Sequence, residues 1–371
     1  MKNPFRYGCV VEGEYFCPRP KLECQIRRYA EEGQNIVVEG ERRMGKTSLV
    51  RKAVLGLKGE RLLYIDLYSI RTMEDFCRRV MVGISRVTER MSFLKRAVQL
   101  AYRLRPVISL DAITGAPTLS VDARAAEEPG SLDVVMETIR KLAEGGKLCV
   151  VFDEFQDVLK LENGTRILAE MRSTIQFQPD TPYFFLGSVR NEMLRIFTDP
   201  DSPFFKSAAV FSIGEIDPED FAAFIVARFK KGGRKISLET AKSIISFARG
   251  VSGDVQELCD ALWSITDEAT DIVDENLTEA LKVVFAREKN GFDSIVSDLT
   301  PNQFTVLRGL AENEDSRVFT SEFMNRVRMT SPGSVKRVLN KLVAMRVIYL
   351  YRSQYKFANP FFREWIKREL R

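Results

Sequence analysis

The segment from Asn35 to Val54 constrains this chain more than any other. It begins with Asn35-Ile36-Val37-Val38-Glu39, a short apolar run of the kind that forms a buried strand. It continues through Gly40-Glu41-Arg42-Arg43-Met44-Gly45-Lys46-Thr47-Ser48 and ends with Leu49, Val50, Ala53 and Val54 at helical spacings. Two glycines that bracket four residues, followed at once by lysine and a hydroxyl, suit a tight turn whose N–H groups point inward at a helix N-terminus. Such a turn cradles phosphate: amides and the helix end favour an anion, and the ammonium group neutralises it. The segment therefore predicts a P-loop between a strand and a helix. Gly40, Glu41, Arg42, Arg43, Met44, Gly45, Lys46, Thr47 and Ser48 are expected around the phosphates of ATP or ADP, with the Thr47 hydroxyl on Mg2+.

Val150-Val151-Phe152-Asp153-Glu154 is a strand ending in two carboxylates, and it supplies an acidic half to such a site. Asp153 is expected to hold Mg2+ through its water shell and Glu154 to polarise the attacking water. Without the P-loop, two solvated carboxylates at a strand end would explain the same residues. The chain contains no histidine, which excludes a histidine base and leaves water activation to a carboxylate. Tyr183-Phe184-Phe185-Leu186 leads into Gly187-Ser188, so Ser188 is expected beside the acidic pair if the two strands are neighbours; a plain turn is the competing reading. Arg190, Arg195 and Lys206 are candidates for a cation offered to the γ-phosphate, with Lys206 and Arg190 favoured.

Further apolar runs at Leu62-Leu63-Tyr64-Ile65-Asp66 and Val210-Phe211-Ser212-Ile213 alternate with helix-like sequence, the pattern of a parallel sheet covered on both faces. The expected fold is α/β, a P-loop parallel-sheet core over 1–215 with a β-hairpin inserted at about 106–123. An all-helical lid follows over 216–295, and 296–371 has the helix, helix, helix, strand, strand order of a winged helix-turn-helix.

The last segment, from residue 301, carries fourteen Lys and Arg against six Asp and Glu, in a chain whose net charge is only +5. That surplus points to a polyanionic partner. Ser331 is expected to cap a helix that starts with Pro332 and turns Val335, Val338, Leu339, Leu342 and Val343 inward. Ser334, Lys336, Arg337, Asn340 and Lys341 then face outward toward a DNA groove, with Arg352 at the wing tip. A solvated charged face, or a contact with another protein or a second copy of the chain, accounts for the same residues.

The six cysteines show no short paired spacing of the zinc-binding kind. No apolar run approaches the ~18 residues of a membrane span, and Met1-Lys2-Asn3-Pro4-Phe5 lacks the apolar stretch of a signal peptide, so a cytoplasmic protein without a membrane partner is expected.

Asn3-Pro4-Phe5, Gly8, Phe16, Arg19 and Glu23, the run from Gly40 to Leu49, Asp153-Glu154-Phe155-Gln156, Gly187-Ser188, Ser202-Pro203-Phe204-Phe205 and Asn359-Pro360-Phe361-Phe362-Arg363 together resemble the archaeal-type ATPases of the STAND branch of the AAA+ superfamily, relatives of origin-recognition ATPases. The resemblance runs over essentially the whole chain. It implies an AAA+ core, a helical lid and a winged helix, with adenine held near Phe16, Arg19 and Pro20. The chain departs from that pattern twice: Gly253-Asp254-Val255-Gln256 stands where the lid often carries an arginine sensor, and Lys206 where an arginine often follows.

The expected activity is slow, Mg-dependent ATP hydrolysis that drives a nucleotide-controlled switch associated with duplex DNA through the winged helix. The alternative is a non-catalytic, nucleotide-regulated DNA-binding regulator or protein-interaction module.

Overall fold

Continuous apolar runs form the strands of the core, whether central strands buried on both faces or edge strands buried on one. In the computed structural model, residues 2–57, 59–87, 107–110, 117–122, 125, 130–188, 190–313, 317–351 and 353–370 are described. The chain divides into two compact units, Val10–Gly214 and Met1–Cys9 with Glu215–Arg371.

The first unit holds five parallel strands: β1 (Ile36–Glu39), β2 (Arg61–Asp66), β5 (Leu148–Asp153), β6 (Tyr183–Gly187) and β7 (Ala209–Ser212). Their order across the sheet is β2-β5-β6-β1-β7. Every residue of β1, β5 and β6 is buried, whereas the edge strands β2 and β7 are only partly covered and Val210 is 43% exposed. Helices α1 (Pro20–Glu31), α2 (Lys46–Leu55), α3 (Met73–Val87), α4 (Ser131–Glu144), α5 (Gly164–Ile175) and α6 (Arg190–Thr198) belong to the same unit. A separate antiparallel pair, β3 (Val107–Leu110) with β4 (Pro117–Ser120), lies between α3 and α4 in the chain.

Aromatic packing fixes the carboxyl end of β5. Phe152 stacks between Tyr183 and Phe76, with ring centroids at 6.3 and 6.4 Å. Phe155, fully buried, meets Phe185 at 4.6 Å, Phe204 at 5.5 Å and Phe197 at 6.0 Å. Asp153 and Glu154 therefore sit between two anchored rings, each aromatic pair contributing about 0.5–1.5 kcal/mol beyond its buried area.

The second unit comprises α7 (Pro218–Lys231), α8 (Leu238–Phe247), α9 (Ser252–Ile265) and α10 (Asp274–Ser297), then α11 (Pro301–Glu312), α12 (Ser321–Arg326), α13 (Pro332–Ala344) and α14 (Pro360–Glu369). Its helical stretch also contains a two-residue parallel pair, β8 (Lys235–Ile236) with β9 (Asp271–Ile272), which the helical periodicity around it conceals. The amino-terminal residues pack here as well: the Asn3 amide donates to Asp260 Oδ1 at 2.5 Å and the Phe5 ring lies 4.7 Å from Phe229.

From α11 onward the helix starts follow capping chemistry closely. Thr300, Thr320, Ser331 and Asn359 each accept a backbone N–H at the start of a helix, and Pro301, Pro332 and Pro360 occupy first helical positions where no N–H is needed. Strands β10 (Ile348–Tyr351) and β11 (Gln354–Phe357) pair antiparallel around a turn in which Ser353 has φ +67°. Three helices followed by this hairpin make a winged helix.

Candidate functional site

Gly45, at φ +83° and ψ +24°, is the left-handed residue that lets the loop after β1 turn into α2. A Cβ there would meet nothing within 4 Å, so the backbone angle alone calls for glycine. Gly40 answers a different demand: a Cβ would come within 2.8 Å of the Ile213 carbonyl oxygen just beyond β7. Lys46 folds across the loop and donates to the carbonyls of Gly40 at 3.0 Å and Glu41 at 2.9 Å. Burial holds its ammonium below the usual lysine range; Glu154 and Asp153 pull it back up, and the nearby Arg42 charge pushes it further down. Two cations share the mouth of an amide-lined turn, an arrangement that a polyphosphate would relieve.

Arg19 buttresses the loop, donating to the Met44 carbonyl at 3.1 Å and to the Gly214 carbonyl at 2.6 Å, and burial lowers its pKa. Phe16 is buried with the Lys52 ammonium 5.2 Å above its ring, while Pro20 opens α1 and is exposed. The Ser48 hydroxyl accepts the Val11 N–H at 3.0 Å, so its side chain is engaged away from the turn.

Strand β6 separates β1 from β5, yet their carboxyl ends converge. The Thr47 hydroxyl donates to Asp153 Oδ2 at 2.6 Å. A second hydroxyl, that of Tyr64, donates to the same oxygen at 2.7 Å, and the Glu154 N–H donates to Oδ1 at 3.0 Å. Burial raises the Asp153 pKa, and the two hydroxyls oppose that shift. Glu154 adopts φ +54°, a left-handed conformation that costs a non-glycine residue about 1–3 kcal/mol. Its Oε2 accepts Ser188 Oγ at 2.7 Å and the Gln156 amide at 2.6 Å. A Cβ on Gly187 would lie 2.5 Å from Gln156 Oε1, so glycine at that position leaves room for the Gln156 side chain.

Tyr64 and Gln156 were not singled out in the sequence. Tyr64 sits in an apolar run and looks like core; only the parallel register, Tyr64 beside Val151, places it on the face of β5 that carries Asp153. Gln156 follows the acidic pair by two residues and was named only within the run that carries the family resemblance, without a role of its own.

The candidate γ-phosphate cations fare differently. Lys206 has its ammonium 5.1 Å over the Phe205 ring, and no contact among the described residues joins it to Glu154. Arg190 opens α6 but its side chain lies outside the described residues, and Arg195 is exposed further along that helix. Arg42 does reach the acidic end: its Nε donates to Ser188 Oγ at 3.4 Å and its guanidinium lies 5.5 Å from the Tyr68 ring. In the second unit Gln256 accepts the Arg6 N–H at 3.3 Å.

On α13, Lys336, Arg337, Asn340 and Lys341 are exposed, while Ser334 is half-buried with its hydroxyl 3.0 Å from that of Ser331. Val335, Leu339 and Leu342 face inward, with Val338 and Val343 half-buried. Arg352 lies outside the described residues. Among the described residues no group of three His, Cys, Asp or Glu forms a metal cage, and no helix is long and apolar enough to cross a membrane.

Residues 290–368 match the model of a family described as a probable winged helix domain. The solved structure of a Walker-type ATPase of Pyrococcus abyssi aligns over 98% of this chain and 99% of its own, with TM-score 0.66 and 17% identity. The Aeropyrum pernix ORC1 protein, solved in complex with DNA, aligns over 100% of this chain and 98% of its own, with TM-score 0.52 and 13% identity. No curated protein matches the sequence. At such identities the likeness is one of fold: a P-loop parallel-sheet core, a helical region and a terminal winged helix.

Proposed function

We propose that the chain binds ATP with Mg2+ at the Gly40–Thr47 turn and hydrolyses it slowly, as a nucleotide-controlled switch of the STAND kind acting in the cytoplasm. The observation that carries this reading is the hydrogen-bonded set Thr47, Asp153, Glu154 and Ser188 beside Lys46, assembled from the ends of three different strands. A structural turn would not need a buried lysine facing two carboxylates.

The donors fit Mg2+ and not a more demanding metal: one hydroxyl and one carboxylate, with waters and phosphate oxygens to complete the shell. When bound, the ion neutralises charge on the β- and γ-phosphates. Lys46 leaves the Gly40 and Glu41 carbonyls for the phosphates, and Thr47, with Asp153 through the water shell, would hold the ion. Glu154 orients the water and takes its proton as the water oxygen bonds to the γ-phosphorus and the bond to the β,γ-bridging oxygen breaks, ADP leaving with that electron pair. Ser188, already on Glu154 Oε2, keeps that carboxylate aimed. Phe16, Arg19 and Pro20 are our candidates for the adenine end, and Lys206 and Arg190 remain candidates for a cation offered to the γ-phosphate.

Lys46→Ala should abolish binding of a fluorescent ATP analogue. Glu154→Gln should bind it normally and lose about 10²–10⁴ in kcat, the span expected for a general base, in a phosphate-release assay. Wild-type turnover in the glutamine variant would remove Glu154 from the mechanism.

A second output is supported by the exposed cations of α13. We place duplex DNA against Lys336, Arg337, Asn340 and Lys341, with Ser334 and Arg352 at the margins; a protein partner or a second copy of the chain on the same face is the alternative.

A further inference from the structure

We propose that Arg42, inside the P-loop itself, is the cation that meets the γ-phosphate, and that it acts within its own chain by moving from Ser188 to that phosphate. The inference rests on the ATPase reading above and names the group that completes it.

Three observations converge. Arg42 Nε donates to Ser188 Oγ, and Ser188 Oγ donates to Glu154 Oε2, so one hydroxyl separates the guanidinium from the carboxylate proposed to direct water. That water has to stand at the γ-phosphorus, in line with the leaving oxygen, which puts Arg42 at the γ end of the turn. The 3.4 Å bond to Ser188 is long and exposed, and no carboxylate among the described residues pairs with Arg42, so little opposes its transfer to a stronger acceptor. A planar guanidinium grips two phosphate oxygens at once, as the Lys206 ammonium does not. The Tyr68 face beneath it offers a resting place for the same group.

Release of Ser188 has a consequence for Glu154. While Arg42 donates to Ser188, it strengthens the hydroxyl's own donation to Glu154; once the arginine turns to the phosphate, that donation weakens and leaves Glu154 a better acceptor for the water proton. Arrival of a γ-phosphate, and not of ADP, thereby sets the base.

The test uses the full chain and three proteins: wild type, Arg42→Ala and Arg42→Lys. Arg42→Ala should lose about 10³-fold or more in kcat, the scale of an arginine acting on a transferring phosphoryl group. Its affinity for ADP should stay within about threefold of wild type while its preference for a non-hydrolysable ATP analogue over ADP disappears. Arg42→Lys should recover only part of the rate. Mixing Arg42→Ala with Lys46→Ala should restore nothing, because both groups serve one site. Wild-type turnover in Arg42→Ala overturns the inference, as does an equal loss of ADP binding, which would mean that Arg42 only shapes the turn, or recovery on mixing, which would mean that it acts on a second copy. A wild-type protein that hydrolyses no ATP overturns the ATPase reading, and this inference with it.

Discussion

Asp153 Oδ2 is a shared acceptor beside the P-loop. Two hydroxyls converge on it at 2.6 and 2.7 Å in a buried position, and one of them, from Thr47, belongs to the P-loop. A Thr47 hydroxyl that keeps its proton on Asp153 leaves a lone pair for a cation, so the carboxylate holds the threonine in a ligating pose. In the proposed scheme Tyr64 is a positioning residue: its phenol, on Asp153 Oδ2, would keep the carboxylate oriented for Mg2+. Tyr64→Phe should raise the Mg2+ concentration for half-maximal nucleotide binding by about 10–100-fold, the range for a group that orients a metal ligand. Its affinity measured with chelator should match wild type. Equal weakening with and without Mg2+ would reduce Tyr64 to a packing role.

At the scale of elements, the ring cluster behind β5 converts packing into geometry. Phe155 is fully buried against three rings from β6, α6 and the loop before β7, and it directly follows the left-handed Glu154. Strain at Glu154 persists only if its surroundings hold it there. Phe155→Ala should cost about 3–5 kcal/mol of stability, read as an earlier midpoint in urea unfolding. It should also lower turnover more than nucleotide affinity, because the turn of the P-loop is anchored elsewhere, by Arg19 on the Met44 and Gly214 carbonyls. A variant with full turnover would show that Glu154 needs no aromatic support. Helix α13 makes the complementary point: its start depends on Ser331 and Pro332, local chemistry legible in four residues.

For the whole molecule, charge distribution matters more than net charge. A surplus of eight positive charges after residue 301 sits in a chain of +5, so the remainder is mildly acidic. If α13 meets phosphates, affinity for a short duplex should fall steeply with salt, and Lys336→Glu with Arg337→Glu should shallow the slope by about two. Filter binding at several salt concentrations measures this. Absence of binding at low salt would assign the face to a protein partner or a second copy, and ATPase rates with and without duplex would agree.

The α/β core, the P-loop strand and helix, and the winged helix were legible because their signals are local: apolar runs, helical spacing, glycine where φ is positive, Ser or Thr before Pro. Amino-acid sequence by itself determined that a phosphate-shaped turn exists and that carboxylates end a buried strand. It did not determine which side chains meet them. Tyr64 reaches Asp153 across 89 positions, Ser188 reaches Glu154 across 34, and Arg42 reaches Ser188 across 146, all through the strand order β2-β5-β6-β1-β7. Those meetings depend on which strand lies beside which, a property of long-range packing that no short window of residues encodes. Tertiary structure alone decided that, among the described residues, Arg42 in the turn reaches Ser188 and that Lys206 rests on a neighbouring ring, since a guanidinium's reach is set by the fold around it and not by its place in the chain.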